Sequence, residues 1–318
     1  MSDPGQGESL RTVLIALAAN AVIAVAKTAA SMLSGSASML AEAAHSWADT
    51  GNQVLLLIAD RRSSRPADAS HPMGYGREAY VWSLLAAVGL FTVGASVSIW
   101  HGVTEILHGA ESEEAGYWLS YIVLSIALAM EGFSLVRAAR QLRREAHRYD
   151  RDLLEHVLAT SDPTTRAVFA EDSAAVIGIV IAFAGIGLHE LTGNAVWDGI
   201  GSILVGVLLA VVAIVLIDRN RRFLTGEPGS DELRDAVAAR ISRLPDVADV
   251  RYLRLVFIGP KRLFVVASVD VVGDHAESDV ARTLRRLERE LESDPNIADA
   301  VLTISARDDG DVEVRSDS

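Results

Sequence analysis

Cysteine is absent from all 318 residues. Disulfides, thiolate metal sites and cysteine nucleophiles are thereby excluded, and any metal must be held by imidazole and carboxylate. Basic charge is scarce too. Against 42 Asp and Glu stand 29 Lys and Arg, a net charge of −13, the wrong balance for a nucleic-acid partner, which needs a basic patch. Of the basic residues only Lys27 and Lys261 are lysine. No His-Glu-x-x-His occurs, so the helical zinc-hydrolase motif is missing. What the chain has in quantity is apolar surface. Half its residues are hydrophobic, gathered into long runs that suit an integral membrane protein with a polar appendix.

Six runs reach the length of about 20 residues that a spanning helix needs: 11–33, 39–60, 79–101, 117–137, 166–188 and 196–217. Small residues such as Gly178, Gly185, Gly199, Gly201 and Gly206 suit close helix packing in lipid. Arginine then orients the bundle. Arg61, Arg62, Arg65 and Arg77 follow the second span, Arg140, Arg143, Arg144, Arg148 and Arg151 follow the fourth, and Arg219, Arg221 and Arg222 follow the sixth. The alternate connections, 34–38, 102–116 and 189–195, carry no Lys or Arg, and the middle one is acidic at Glu111, Glu113 and Glu114. By the positive-inside rule both termini are expected in the cytoplasm. Residues 140–160 read as a charged amphipathic helix lying on the membrane surface.

Beyond residue 230 the periodicity changes. A helix at 231–244, strands at 248–258 and 262–272 around a turn at Gly259 and Pro260, a helix at 277–293 and a strand at 298–305 give the order αββαβ. The expected fold class is a six-transmembrane-helix bundle with a small cytoplasmic α/β sandwich. The corresponding divisions are a polar tail at 1–10, a transport domain at 11–222, a soluble domain at 230–306 and a disordered end at 307–318.

The second span poses the functional question. Its stretch SMLAEAAHSWADTGNQVLLLIAD carries Glu42, His45, Asp49 and Asn52, whose spacings of three, four and three confine them to one helical stripe. A charge at the bilayer centre costs about 2.5–3.5 kcal/mol even on lenient insertion scales, so such a stripe needs something to face. His45 and Asp49, at i and i+4, point the same way, as paired metal ligands on a helix do. The fifth span adds Glu171 and Asp172 in VFAEDSAAVIGIVIAFAG. Imidazole and carboxylates without sulfur suit zinc, and also manganese, iron or cobalt. The plainer alternative is that these groups satisfy one another or the backbone within the bundle. Lys27 and Asn20, seven apart in the first span, and Glu131 in the fourth are weaker candidates for the same interior. Asp198 opens the sixth span, where a carboxylate favours its own helix dipole. Asp68 and His71 could share an ion in the loop RPADASHPMGYGREAY, although a Pro/Gly-rich turn with a histidine is ordinarily just a turn.

Taken in order, GSASMLAEAAHSWADT, PADASHPMGYGREA and WDGIGSILVGVLLA resemble the cation diffusion facilitator family of divalent-metal transporters, over nearly the whole chain. AEAAHSWADTGNQ with RAVFAEDSAAVIG is similar to the branch that includes the mitochondrial zinc transporter of animals. The resemblance implies a ferredoxin-like C-terminal domain that mediates homodimerisation, and proton-coupled export of zinc from the cytoplasm across the lipid bilayer. It also implies a mid-membrane zinc site on His45, Asp49 and Asp172, with no prosthetic group. Three positions depart from the family pattern. Val168 stands where many members have a ligand one turn before the span-five Asp, leaving Glu171 or water to complete the shell. Tyr75 replaces the second histidine of the loop site, and His275, beside Asp274 and Glu277, is the one histidine of the C-terminal domain.

Metal, acid and histidine in a membrane would also serve an intramembrane metalloenzyme, but three protein ligands plus a neighbouring base are not in view around His45. A scaffold anchored by its spans would leave the polar stripe without use. In the transport reading, proton and metal compete for the His45 ring, since an ordinary imidazole titrates near pH 6.5 and only the neutral ring binds metal. The arginine bias and a 1–9 stretch without transit-peptide character lead to an expected address in the plasma membrane of a bacterium.

Overall fold

Local signals set the helix limits. Pro163 opens one helix behind Asp162, whose carboxylate accepts from the backbone N–H of Thr164 (3.0 Å) and Thr165 (3.3 Å), and Gly193 closes it in a left-handed conformation at φ 67°. Gly35, at φ 65°, makes the tight reversal between the first two helices. The computed structural model describes residues 4–108, 117–148, 152–273 and 275–305. The acidic stretch at 109–116, Asp274 and the expected disordered end lie outside the described residues.

The described chain runs α1 (Pro4–Ser34), α2 (Ala37–Ser63), α3 (Glu78–Ala86), a π turn (Ala87–Phe91) leading directly into α4 (Thr92–His108), α5 (Tyr117–Arg148), α6 (Leu153–Ala159), α7 (Pro163–Thr192) and α8 (Val196–Thr225). There follow α9 (Asp231–Ile241), β1 (Val247–Gly259), β2 (Arg262–Val271), α10 (Glu277–Glu292) and β3 (Ile297–Ile304). α1 begins within the stretch read as a polar tail. The expected surface helix at 140–160 is not a separate element. α5 continues to Arg148, because no Gly or Pro interrupts the chain between Arg137 and Arg148, and the short α6 follows.

The chain divides into two compact units. One comprises the chain up to Arg61 together with Val81–Arg221; the other comprises Arg62–Tyr80 together with the chain from Arg222 onward.

The first unit is the six-helix membrane bundle. Leu17–Ser34, Glu78–His108, Tyr117–His147, Pro163–Thr192 and Val196–Thr225 are long and apolar enough to cross a membrane. α2 is the sixth long helix, and its composition is spoiled only by the polar stripe, which is turned inward: Glu42, His45, Asp49 and Asn52 are all buried. The outside is apolar instead, with Met32, Trp100, Phe133, Leu191 and Ile214 exposed, as lipid-facing side chains should be. Glycine sets the closest crossing. A Cβ added to Gly102 of α4 would lie 2.5 Å from the Gly199 carbonyl of α8, and one on Gly199 would lie 2.8 Å from that of Gly102.

The second unit contains the αββαβ domain. Its sheet has the order β1-β2-β3, with β1 antiparallel and β3 parallel to β2. α9 and α10 pack their apolar sides on the sheet through Val237, Ile241, Leu287 and Leu291, over a core that includes Leu255, Val265, Ala267 and Leu302. Arg62–Tyr80, between the second and third spans, belongs to this unit. Gly76 lies against Gly259 at the β1–β2 turn, and Tyr80 stacks on Phe223, which in turn meets Phe257 edge-on.

One carboxylate fixes the start of α2. Asp198, fully buried at the head of α8, accepts from the Ala37 N–H (2.6 Å), the Ser38 N–H (3.2 Å) and the Ser36 hydroxyl (3.0 Å). It caps α2, not only its own helix as the sequence suggested. Asp198→Ala should therefore lower the thermal midpoint of the detergent-solubilised protein, at a cost of about 1–2 kcal/mol, the upper range for a lost helix cap. Asp198→Asn, which keeps one acceptor oxygen, should fall between. An unchanged midpoint in Asp198→Ala would remove the cap from the account.

Candidate metal centre

With α2 anchored at its first turn, its stripe faces α1, α5 and α7. Glu42 is met by Lys27 of α1 at 2.8 Å, both side chains fully buried. Gly178 of α7 has no side chain to obstruct it: a Cβ there would collide with the Glu42 carboxylate. One turn on, His45 Nε2 lies 3.4 Å from Asp49 Oδ2. Both ring nitrogens of His45 and Asp49 Oδ1 are buried without a hydrogen-bond partner. A further turn on, the Asn52 amide donates to Glu171 of α7.

The two neighbouring acids of α7 therefore part company. Consecutive helix positions diverge by about 100°, and here Glu171 faces α2 through Asn52, while Asp172 accepts from the Ser134 hydroxyl of α5 at 2.6 Å. α7 is unbroken through both residues. The structure thus brings His45 and Asp49 together but does not bring Asp172 onto them. Among the described residues, no three His, Asp or Glu side chains converge as a closed metal shell would require. Val168, at the position of the missing ligand, packs into the apolar core.

The loop pair behaves differently. Asp68 Oδ1 accepts from the Ser70 hydroxyl (2.6 Å) and from the backbone N–H of Ser70 and His71 (2.9 Å each), and Oδ2 accepts from the Tyr75 hydroxyl (2.7 Å). These bonds, the Ser70 and Tyr75 hydroxyls foremost, hold its carboxyl well below the usual carboxylate range. The His71 ring stacks on Tyr75 and sits 3.8 Å from Asp68, both half-exposed. The carboxylate is engaged by its own turn, and Tyr75 occupies the place of a second imidazole.

Sequence reasoning passed over one buried network. Arg166, near the head of α7, donates to Asn220 of α8 (2.8 Å) and to the Thr160 carbonyl (2.9 Å), and Asn220 donates to Ser83 of α3 (3.0 Å). The available signal was an arginine just inside an apolar run, five residues before Glu171. Ser134 was also missed; a lone serine in a span gives no such signal.

The bundle thus keeps an imidazole and a carboxylate in its interior without hydrogen-bond partners. Residues 13–224 fit the cation efflux transmembrane domain, and the chain belongs to the cation efflux family. It is 35% identical over 263 residues to the human mitochondrial proton-coupled zinc antiporter SLC30A9, which covers 83% of this chain and 46% of that protein. It is 36% identical over 283 residues to metal tolerance protein C4 of Arabidopsis thaliana, covering 89% and 61%. Against the magnetosome protein MamM of Magnetospirillum gryphiswaldense the identity is 27% over 253 residues, covering 77% and 72%. The chain spans about half the length of the vertebrate relatives it matches. SLC30A9 is named as an antiporter and the plant relative as a metal tolerance protein; none of the three is named as an enzyme.

The expected bacterial plasma-membrane address is overturned. The relatives at 34–36% identity are vertebrate mitochondrial proteins and a plant protein, whereas the bacterial magnetosome proteins match at 27–28%. Arginine and lysine carry the same charge, so their ratio says nothing about which bilayer holds the chain. Charge asymmetry still groups the arginine-bearing connections on one side, without naming the compartment that side faces.

The Lys27–Glu42 pair generates a test. Removing one member of a buried pair leaves an uncompensated charge and costs about 3–5 kcal/mol, while replacing both can be nearly neutral. Lys27→Met and Glu42→Gln should each lower the melting temperature, and the double variant should recover most of the loss. Additive losses in that double-mutant cycle would deny the pairing.

Proposed function

We propose that this chain is a proton-coupled zinc transporter, acting as a homodimer, that carries the ion across the bilayer from the side of the arginine-rich connections. The observation that carries the reading is the His45–Asp49 pair. Zinc holds nitrogen and oxygen ligands at about 2.0–2.2 Å, which in a tetrahedron separates neighbouring ligands by about 3.3–3.5 Å; the pair stands at 3.4 Å with its other polar atoms unsatisfied. Neutral His45 and ionised Asp49 are the first two ligands. Asp172 is the third, released from Ser134 by rotation of its side chain. Glu171, held by Asn52, supports the charge balance without touching the ion.

In this mechanism the metal carries its charge into a bundle whose unsatisfied polar groups take the place of its hydration shell. A proton delivered to the same groups from the far side displaces it and resets the carrier, because proton and metal need the same lone pairs. The ferredoxin-like unit supplies the dimer contact. Oxygen and imidazole donors also admit manganese, iron and cobalt, so discrimination rests on geometry more than ligand type.

Asp49→Ala and Asp172→Ala should each abolish zinc uptake into reconstituted vesicles loaded with a zinc-sensitive dye, while the protein still inserts. Asp68→Ala with His71→Ala should weaken apparent affinity a few-fold at most, since the loop carboxylate is already occupied. Full flux in Asp49→Ala vesicles would sink the site; a tenfold loss of maximal rate in the loop variant would make the loop essential.

A further inference from the structure

Glu131 of α5, a weaker candidate in the sequence, has no part in the site proposed above. It lines, with Asn20, Ile23, Ser46 and Asp49, a narrow crevice between the helices. One turn along α5, Ser134 holds Asp172, so residues 131 and 134 share a helix face toward the same interior. Asp49 is 7% exposed, and its Oδ1 is buried without a hydrogen-bond partner. Two carboxylates that share a crevice repel unless a cation lies between them. The Lys27 ammonium, on the neighbouring helix, is tied to Glu42 at 2.8 Å. On α7, Val168 packs against the apolar core, and Glu171 is engaged by Asn52.

We propose, resting on the cation-transport reading above, that Glu131 is a ligand of the transported ion and supplies a carboxylate to it from α5. The loaded shell is then drawn from three helices: His45 and Asp49 of α2, Glu131 of α5 and Asp172 of α7. One imidazole and three carboxylates make a harder, more oxygen-rich donor set than two histidines and two acids. Such a set narrows the preference for zinc over manganese, because hard oxygen donors suit manganese better than imidazole-rich ones do.

Zinc titration of the purified full chain in detergent, followed by calorimetry, tests this together with melting of the metal-free protein. Glu131→Gln should raise the zinc Kd at least tenfold and leave the metal-free midpoint unchanged or higher, since a repelling charge has gone. Glu131→Asp should fall between. A purely structural Glu131 would give the reverse, a lower midpoint with an unaltered Kd, and that result overturns the proposal. Wild-type protein that binds no zinc would overturn the transport reading itself, whereas tight binding by both wild type and Glu131→Gln, lost in Asp49→Ala, would overturn the role of Glu131 alone. Glu131→His provides a gain of signal: zinc-edge X-ray absorption should count one imidazole in the wild type and two in this variant. A count that stays at one places residue 131 outside the shell.

Discussion

The bundle depends on how α2 is held at its first turn. A helix start presents N–H groups that no residue of the helix can satisfy, and lipid offers no water to do so. Asp198 of α8 answers two of them, and the Ser38 hydroxyl returns a bond to the Asp198 carbonyl at 2.8 Å. Gly185 and Gly201 then let α7 and α8 close around Ser38, where any Cβ would collide with its hydroxyl or with the opposing backbone. The rotation of α2 follows, and with it the direction of every polar group on it.

Inward rotation creates the charge problem that gives the bundle its chemistry. Glu42, Asp49, Glu131, Glu171 and Asp172 share the interior with Lys27. The structure settles these groups unequally. Glu42 has an ammonium, Glu171 an amide and Asp172 a hydroxyl. His45 and Asp49 have each other, at a distance too long for a strong hydrogen bond, and otherwise nothing. Buried polar atoms left without partners cost about 1–3 kcal/mol each. Glu42 Oε1, Glu105 Oε1 and Ser120 Oγ are buried without a partner as well, but among the described residues only at His45 and Asp49 do such an imidazole and such a carboxylate lie side by side.

Much of this was legible in the sequence, because period and composition report on elements one at a time. The apolar runs, the αββαβ order with its strand limits, the inward stripe of α2 and the small residues of α8 all follow from local pattern. Contacts between helices did not, since they depend on rotations that no single segment encodes. The sequence placed Glu171 and Asp172 side by side but not that they face different helices. It showed Asp198 at a helix head but not that the capped helix is α2. The length of α5 was cut short for another reason: charge at Arg140, Arg143 and Arg144 ends a membrane segment without ending a helix, and the two limits were treated as one.

The same distinction between bonds available and bonds already committed separates the loop from the bundle. Residues 62–80 build into the second unit by seating Gly76 against the β1–β2 turn and Tyr80 on Phe223. A turn that presents Gly76 there must be rigid, and Asp68 rigidifies it by binding two backbone N–H groups and two hydroxyls within eight residues. Arg65 lies over the Tyr75 ring from the other side, 4.9 Å from its centroid. A metal at Asp68 would have to displace those bonds and so loosen the seat of Gly76, whereas at Asp49 and His45 the lone pairs a metal would take are free of hydrogen bonds. Between two acids of the same type, each beside a histidine, the one whose lone pairs are idle is the one built for an ion.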